Sequence, residues 1–291
     1  MHNKKRCVRE DMFDLSLDHT SRDRSEWASM YIDDLSIGET LDLDIAVSTY
    51  SQQLEKKTIH ARKCEEYFET IDVNARSIGM KINSEKTQLL CINDNNICDT
   101  ECFTQVDPDT RIMSTDSMKI LGFVFSNKPN VTAHIEYIIN KFNKAVWSIN
   151  HIKRAGIKND VIVTVYCTML RPIIECNSPV YHPMLSQEDS KRLERLQKTA
   201  LKLIFGFNKT YTELLDCAKI QSLEKRREAA FVKFAHNLST SERFSKWFPL
   251  TSETNINLRS KKKFKEEFAR TDRLFNSPLF SMRRELNRHL E

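Results

Sequence analysis

The sequence predicts an α+β fold in which a mixed strand-and-helix segment is followed by a longer helical segment. Two observations favour this division: residues 25–130 combine short extended patterns with one long helical stripe, and the pattern after Asn130 is helical. With 291 residues, of which 40% are hydrophobic, the chain can bury a core and has the length of about two domains.

Residues 28–38, ASMYIDDLSIG, predict a tight hairpin with Asp33 and Asp34 at its turn. Two adjacent carboxylates repel each other, so the pair becomes chemically useful when a cation lies beside it. Mg²⁺ prefers such oxygen ligands and keeps positions open for phosphates and water. Turns favour aspartate in any case, so a solvated hairpin tip is the commoner explanation of an Asp-Asp pair taken alone.

The rest of the mixed segment predicts a helix, an extended run and a second hairpin. Apolar or small residues recur at helical spacing over residues 45–78, and Gly79 ends this predicted helix. Residues 81–93, KINSEKTQLLCIN, follow as an extended run. MKILGFVFSNKPN, residues 118–130, is rich in β-branched and aromatic residues around Gly122 and predicts the second hairpin.

Helical periodicity dominates the remainder of the chain. One predicted helix ends near Gly156, a second covers residues 159–171, and a third extends from its capping residue Ser186 to Gly206. Residues 210–238 predict two more helices. The polar tail beyond them predicts a loop with one short helix.

The net charge of +5 conceals an acidic first segment and a basic remainder. Residues 1–117 carry 14 lysines and arginines against 23 aspartates and glutamates; residues 118–206 carry 13 against 6, and residues 207–291 carry 18 against 11. Such a division is typical of proteins with a polyanionic partner and also of an ordinary charged surface. Charge alone therefore leaves both explanations open.

The third predicted helix carries a row of cations beside its apolar face. Lys191, Arg195, Lys198 and Lys202 follow one another at steps of four, three and four, which places them on one side of the helix. We name this row the basic stripe. A solvated face is its commoner cause, and contact with a phosphate backbone is favoured only when other features indicate nucleic acid.

The sequence contains no signal for a membrane or for export. No apolar stretch approaches the roughly 18 residues of a membrane helix, and the basic start MHNKKRCVRE lacks the apolar run of a secretory signal. We expect an intracellular protein, in the cytoplasm or nucleus, that is not secreted and has no membrane partner. The eight cysteines form no CxxC pair and are expected to be reduced thiols.

Several segments, taken in order, resemble reverse transcriptases. Tyr31-Ile32-Asp33-Asp34, a long helix, SIGMKINSEKTQ and MKILGFVFS follow one another as the corresponding motifs do in those polymerases. Residues 144–206, from KAVWSINHIKRAG to LKLIFG, resemble the thumb region of non-LTR retrotransposon polymerases of the jockey-like kind. FARTDRLFNSPLFSMRRELN is similar to the C-termini of the same elements. The resemblance covers roughly residues 25–291.

The resemblance implies an architecture and an activity. Residues 25–130 would form a partial polymerase palm with the YIDD hairpin, the long helix and a primer-grip hairpin; residues 131–206 would form a helical thumb, and residues 207–291 a C-terminal helical and basic region. Residues 1–24 have no counterpart. The implied activity is RNA-directed DNA polymerisation with Mg²⁺ as cofactor. The implied partners are an RNA template with a DNA primer, or an RNA–DNA duplex; the oligomeric state stays open.

The resemblance assigns roles to the first hairpin and to Lys86. Asp33 and Asp34 match the second and third metal-binding carboxylates of the palm, and Tyr31 would support the primer terminus or the template strand. Lys86 lies where these enzymes often have a lysine near the departing pyrophosphate, which makes it a candidate general acid. A solvent-facing lysine before a strand is the alternative at that position.

The second hairpin and the basic stripe would contact nucleic acid. Leu121, Gly122 and Phe123 correspond to the hairpin that grips the primer, and the stripe would contact the phosphate backbone. Gly122 permits close approach of a backbone and is equally consistent with a plain turn.

Complete polymerases of this class also have a fingers region and an upstream palm strand with the first metal-binding aspartate. These residues contain no counterpart of either, and Asp14 lies too close to Asp33 to substitute. Three hypotheses follow: a palm and thumb portion that is active only when joined to or complemented by the missing half, a nucleic-acid-binding module without catalysis, and a relic without function.

Overall fold

The computed structural model describes residues 26–31, 34–39, 69–77, 79, 81–83, 86–90, 92, 103–107, 110–113, 115–128, 130–251 and 262–288. The chain divides into two compact units, Met1–Glu55 and Lys56–Glu291. At a coarse level the fold is α+β, because the described residues form three two-stranded antiparallel sheets and a larger set of helices.

The first unit contains the predicted hairpin. Strand β1 (Glu26–Tyr31) pairs with β2 (Asp34–Glu39), and Tyr31 lies opposite Asp34. Pairing of residues only three positions apart in the chain is the geometry of a tight hairpin, as predicted. Asp34 belongs to the second strand rather than to the turn, while Asp33 lies outside the described residues.

The second unit begins, in its described part, with helix α1 (residues 69–77). This helix is the end of the one predicted over residues 45–78, and the earlier part of that prediction lies outside the described residues. Gly79 follows with φ of +74°, a left-handed conformation that favours glycine and ends the helix as predicted. A hairpin that the sequence analysis missed comes next, formed by β3 (Phe103–Asp107) and β4 (Thr110–Met113).

The second predicted hairpin is confirmed. Strands β5 (Ser117–Ile120) and β6 (Phe123–Ser126) pair with Ile120 opposite Phe123, which leaves Leu121 and Gly122 as the two turn residues. Both have positive φ, +47° for Leu121 and +83° for Gly122. Positive φ at both central residues is the requirement of a type I′ turn, whose twist matches that of the strands.

Helices account for most of the remaining residues. They are α2 (Thr132–Arg154), α3 (Asn159–Val165), α4 (Arg171–Glu175), α5 (Ser178–Tyr181), α6 (Gln187–Phe205), α7 (Tyr211–Ala218), α8 (Leu223–Thr240), α9 (Asp272–Phe275) and α10 (Pro278–Arg288). A π-helical segment, Tyr166–Leu170, joins α3 to α4, and 3₁₀ turns cover His182–Met184 and Glu242–Trp247.

The predicted limits of α6 are confirmed, whereas the helical run that begins at Asn159 is longer than predicted. The Ser186 hydroxyl accepts a hydrogen bond from the Asp189 backbone N–H at 3.0 Å, and Gly206 ends α6 with φ of +102°. The predicted end at residue 171 is wrong, because Pro172 lies in the first turn of α4. A proline there removes no intrahelical hydrogen bond, so the chain stays helical to Glu175.

The main core lies among α2, α3, α4, α6 and α7. Helices α2 and α6 pack against each other, and the core side chains are almost wholly inaccessible to solvent. They include Ile135, Ile138, Phe142, Ile149, Ile162, Tyr166, Leu170, Leu193, Ala200, Leu201, Ile204 and Leu214. Burial of this kind is worth about 1.5–3 kcal/mol for each large apolar side chain.

A second core joins the C-terminal segment to α8. It contains Phe231, Ala235, Phe248, Phe264, Met282 and Leu286. The Asn287 side chain donates to the Phe264 carbonyl and accepts from the Phe264 backbone N–H, both at 3.0 Å. The tail therefore forms the packed helix α10, with Met282 and Leu286 one turn apart on its inner face, where the sequence analysis predicted only a loop with a short helix.

A buried hydrogen-bond network fixes α6 against its neighbours. The Tyr166 hydroxyl donates to Gln197 Oε1 at 2.7 Å, and Gln197 Nε2 donates to the Tyr211 hydroxyl at 2.9 Å and to the Gln221 carbonyl at 3.0 Å. The Tyr211 hydroxyl in turn donates to Glu194. Because Tyr166 and Gln197 have no solvent exposure, water cannot replace these bonds.

We expect Gln197→Leu to lower the free energy of unfolding by about 3 kcal/mol, because each buried polar group left without a partner costs about 1–3 kcal/mol. Adding Tyr166→Phe should restore about 1 kcal/mol, since it removes one stranded hydroxyl. Urea unfolding measures both values. The matched control is Gln187→Leu on the exposed start of α6, with an expected change within about 0.5 kcal/mol. Equal effects at positions 187 and 197 would contradict the network.

Candidate nucleic-acid interface

The two candidate metal ligands, Asp33 and Asp34, are consecutive residues of the first hairpin sequence. Tyr31, the last residue of β1, lies opposite Asp34, the first residue of β2, and Asp33 lies outside the described residues. Carboxylate oxygen is the ligand type that Mg²⁺ prefers, so the donor chemistry of this pair fits the ion. Among the described residues, no group of three or more His, Cys, Asp or Glu side chains is arranged to hold a metal.

Lys86 lies in a turn organised by Asn83. The backbone N–H groups of Lys86 and Thr87 donate to the Asn83 carbonyl at 3.2 and 3.1 Å, and the Thr87 hydroxyl donates to the same oxygen at 2.8 Å. The Lys86 side chain is exposed. Its ammonium is therefore accessible to an anionic ligand, which agrees with both a solvent-facing lysine and a phosphate contact.

The second hairpin is docked on the helical part of its unit by its β6 side. Phe123 stacks on the His134 ring of α2, with ring centroids 4.2 Å apart, and the Val124 backbone N–H donates to His134 Nδ1 at 3.3 Å. At the turn, Asn177 Nδ2 donates to the Leu121 carbonyl at 3.5 Å. These contacts hold the hairpin tip in one place while leaving the Leu121 side chain 64% exposed.

His134 is the residue behind this docking, and the sequence analysis assigned it no role. It is only 2% exposed, and its ring also lies 5.4 Å from the Tyr181 ring. Burial lowers the pKa of His134 to about 4, because the surroundings disfavour the charged imidazolium. The neutral ring can accept the Val124 hydrogen bond, whereas a ring protonated on both nitrogens cannot.

We expect the free energy of unfolding to fall by about 2 kcal/mol between pH 7 and pH 5 through His134, because the unfolded chain binds the proton more readily. The contribution is complete above the unfolded pKa of about 6.5 and is lost as the pH falls from there toward 4. Urea titrations at both pH values measure it. His182, whose pKa burial also lowers, adds in the same direction.

His134→Gln should remove the His134 share of this pH dependence, while His236→Gln, an exposed position on α8, should leave it unchanged. The comparison of the two variants separates the contribution of His134 to the pH dependence from that of the other titratable groups. A pH dependence that survives intact in His134→Gln would contradict the assignment.

The basic stripe lies on the side of α6 away from the core. At 100° per residue its four members lie about 160° around the helix from the buried Leu193, Ala200 and Ile204. Lys191 and Arg195 are exposed, and Lys198 and Lys202 are partly buried. The prediction of a single cationic helix face is therefore confirmed.

Arg192 differs from the residues of the basic stripe in the strength of its ion pairs. Arg195 lies 3.2 Å from Glu188, and both side chains are more than 60% exposed, so this pair is weak and exchangeable. Arg192, one residue beyond Lys191, instead contacts Glu136 at 2.6 Å and Asp189 at 3.2 Å. Arg192 therefore ties α6 to α2, and the stripe cations stay accessible to a phosphate backbone.

A lysine of α2 caps the end of α6. Lys153 Nζ donates to the carbonyls of Leu203 and Ile204, each at 2.7 Å. A cation at this position satisfies carbonyls that have no intrahelical partner and complements the helix dipole. Helices α2 and α6 are thus linked by Arg192 and Glu136 near their starts and by Lys153 near their ends. These contacts fix the position of the helix that carries the basic stripe.

Comparisons of the chain with protein-family models, with curated proteins and with solved structures return no match. The described helices include none that is both long and apolar enough to cross a membrane. Among the described residues, Cys167, Cys176 and Cys217 are free thiols, and Cys176 and Cys217 are exposed.

Proposed function

We propose that this chain is the palm and thumb portion of an RNA-directed DNA polymerase of the non-LTR, jockey-like kind. The observation that carries the proposal is the first hairpin, in which Tyr31 at the end of β1 pairs with Asp34 at the start of β2 within the sequence YIDD. Two-metal polymerases hold their ions with carboxylates on such short strands. The motif order along the chain supports the same function.

Each candidate residue has a role in this proposal. Asp33 and Asp34 would hold Mg²⁺, which when bound stabilises negative charge on the reacting phosphate oxygens. Tyr31 would contact the primer terminus or template, and Lys86 would donate a proton toward the leaving pyrophosphate. The exposed tip of the second hairpin, Leu121 and Gly122, would contact the primer, and Phe123 would anchor that tip on α2.

The basic stripe supports a second candidate, a nucleic-acid-binding module without catalysis. Four cations on one outward helix face can contact a phosphate backbone without any base contact. Binding of this type is sensitive to salt and tolerant of sequence. It needs no metal ligands and therefore no upstream polymerase segment.

Two measurements on the same samples distinguish the polymerase from the binding module. The first is primer extension on a primed RNA template with Mg²⁺, and the second is RNA–DNA duplex binding across a salt series. Extension supports the polymerase. Salt-sensitive duplex binding without extension supports the binding module. A chain that neither binds nor extends overturns both and favours a relic.

A further inference from the structure

Helix α2 carries an outward face on which rings and cations alternate. Its members are Lys119 of β5 and Tyr137, Lys141, Lys144, Trp147 and His151 of α2, which we name the aromatic–cation face. The α2 members follow one another at steps of four, three, three and four. They lie about 130° around the helix from the buried Ile135, Ile138 and Ile149.

The rings on this face are accessible and are placed beside cations. Trp147 is 62% exposed, and its ring centroid lies 3.6 Å from that of His151 one turn away. Lys119 Nζ lies 4.8 Å and Lys141 Nζ 5.9 Å from the centroid of the Tyr137 ring. An exposed indole beside cations can contact a partner that both stacks on the ring and carries negative charge.

The face has no acidic side chain of its own to neutralise these cations. Glu136 is the one acidic residue of α2, and it is paired with Arg192 at 2.6 Å. Lys153 is engaged with the end of α6. Lys141 and Lys144 are exposed between the two rings, so the positive charge lies where an anionic backbone would pass.

We propose that the aromatic–cation face binds single-stranded nucleic acid, with bases stacked on Trp147 and Tyr137 and phosphates on Lys141 and Lys144. The ten residue steps from Tyr137 to Trp147 span about 15 Å of helix, the length of about four stacked nucleotides. Stacking on aromatic side chains with cations along the backbone is the general mode of single-strand binding. The inference rests on the proposed function, because it names the ligand of one surface of that nucleic-acid-binding protein.

A duplex is a poor ligand for this face and a good one for the basic stripe. Base faces in a duplex are covered by their neighbours, so an exposed tryptophan ring gains little from one. The basic stripe contains three lysines and an arginine, and its one ring contact among the described residues lies at the end of α6, where Lys202 Nζ is 5.9 Å from the Phe207 ring centroid. Its cations outnumber its rings, so its chemistry suits a duplex backbone. The proposal thus places single-stranded nucleic acid on α2 and a duplex on α6.

The test uses the full chain and two labelled probes, a twelve-nucleotide oligo(dT) and an RNA–DNA duplex, with affinities measured by fluorescence anisotropy. We expect Trp147→Leu to weaken oligo(dT) binding about tenfold or more and to leave duplex binding within about twofold. Trp147→Tyr, which keeps a flat ring, should retain affinity within about threefold. Lys141→Gln with Lys144→Gln should reduce the slope of log K against log salt by about 1.4 for oligo(dT).

The outcomes distinguish this inference from the proposed function. Unchanged oligo(dT) affinity in Trp147→Leu, with normal duplex binding, overturns the stacking surface alone. A wild-type chain that binds neither probe overturns both. Sedimentation of the same variants detects the other occupant: a wild-type dimer that Trp147→Leu converts to a monomer would show that a second copy covers this face and would overturn the inference.

Discussion

Asp33→Asn is expected to abolish nucleotide addition in any preparation in which this chain supports it, alone or joined to an upstream polymerase segment. The substitution keeps the size of the side chain and removes the carboxylate charge that would hold the metal in the proposed site. Metal ions contribute several kcal/mol of transition-state stabilisation, so extension should fall at least about a thousandfold. Single-nucleotide primer extension at saturating Mg²⁺ measures the loss.

Asp44→Asn is the matched control, because it removes the same charge from the same acidic segment outside the YIDD motif. It should leave extension unchanged. Asp33→Asn should also leave RNA–DNA duplex affinity unchanged, since the proposed duplex contacts lie on α6. Extension by Asp33→Asn at the wild-type rate would remove Asp33 from the proposed metal site.

Neutralising the basic stripe should produce the second large effect. Replacing Lys191, Arg195, Lys198 and Lys202 by Gln removes four phosphate contacts, and each contributes about 0.9 to the slope of log K against log salt. The slope should therefore fall by about 3.6, and duplex affinity at about 0.1 M salt should fall about a thousandfold. Anisotropy titrations at several salt concentrations measure both quantities.

The control has the same net charge change elsewhere in the chain. Gln replacements at Lys225, Lys233, Lys246 and Lys265, all exposed, should leave the slope within about one. If both quadruple variants lose affinity equally, the binding would depend on net charge rather than on the stripe. The stripe variant should unfold close to the wild-type urea concentration, because none of the four side chains belongs to the buried core.

Local signals made several elements predictable. Both predicted hairpins are present because each consists of two short runs with apolar residues that are adjacent in the chain. Helix α6 has the predicted limits because Ser186 and Gly206 lie at its two ends, where local backbone groups need a partner or a turn. The basic stripe was predictable for the same reason. Helical spacing alone places four cations on one face, whatever the helix packs against.

Residues whose role depends on distant partners were not predictable. His134 is separated by ten positions from the Val124 N–H that it accepts, and Gln197 is 31 positions from the Tyr166 hydroxyl. Asn287, which pairs with Phe264 across 23 positions, explains why a polar tail packs as α10. Each is a polar residue in an ordinary sequence context, so no spacing rule marks it as buried.

The sequence by itself determined the coarse α+β class, the two predicted hairpins and the helical periodicity after Asn130, because these depend on contacts between neighbours in the chain. The tertiary structure decided which polar side chains are buried and which rings remain exposed. Trp147 illustrates the difference: its helix position is clear from periodicity, but its exposure among cations results from how α2 packs against α6. Burial is a property of the assembled core, since desolvation depends on every element that surrounds a side chain.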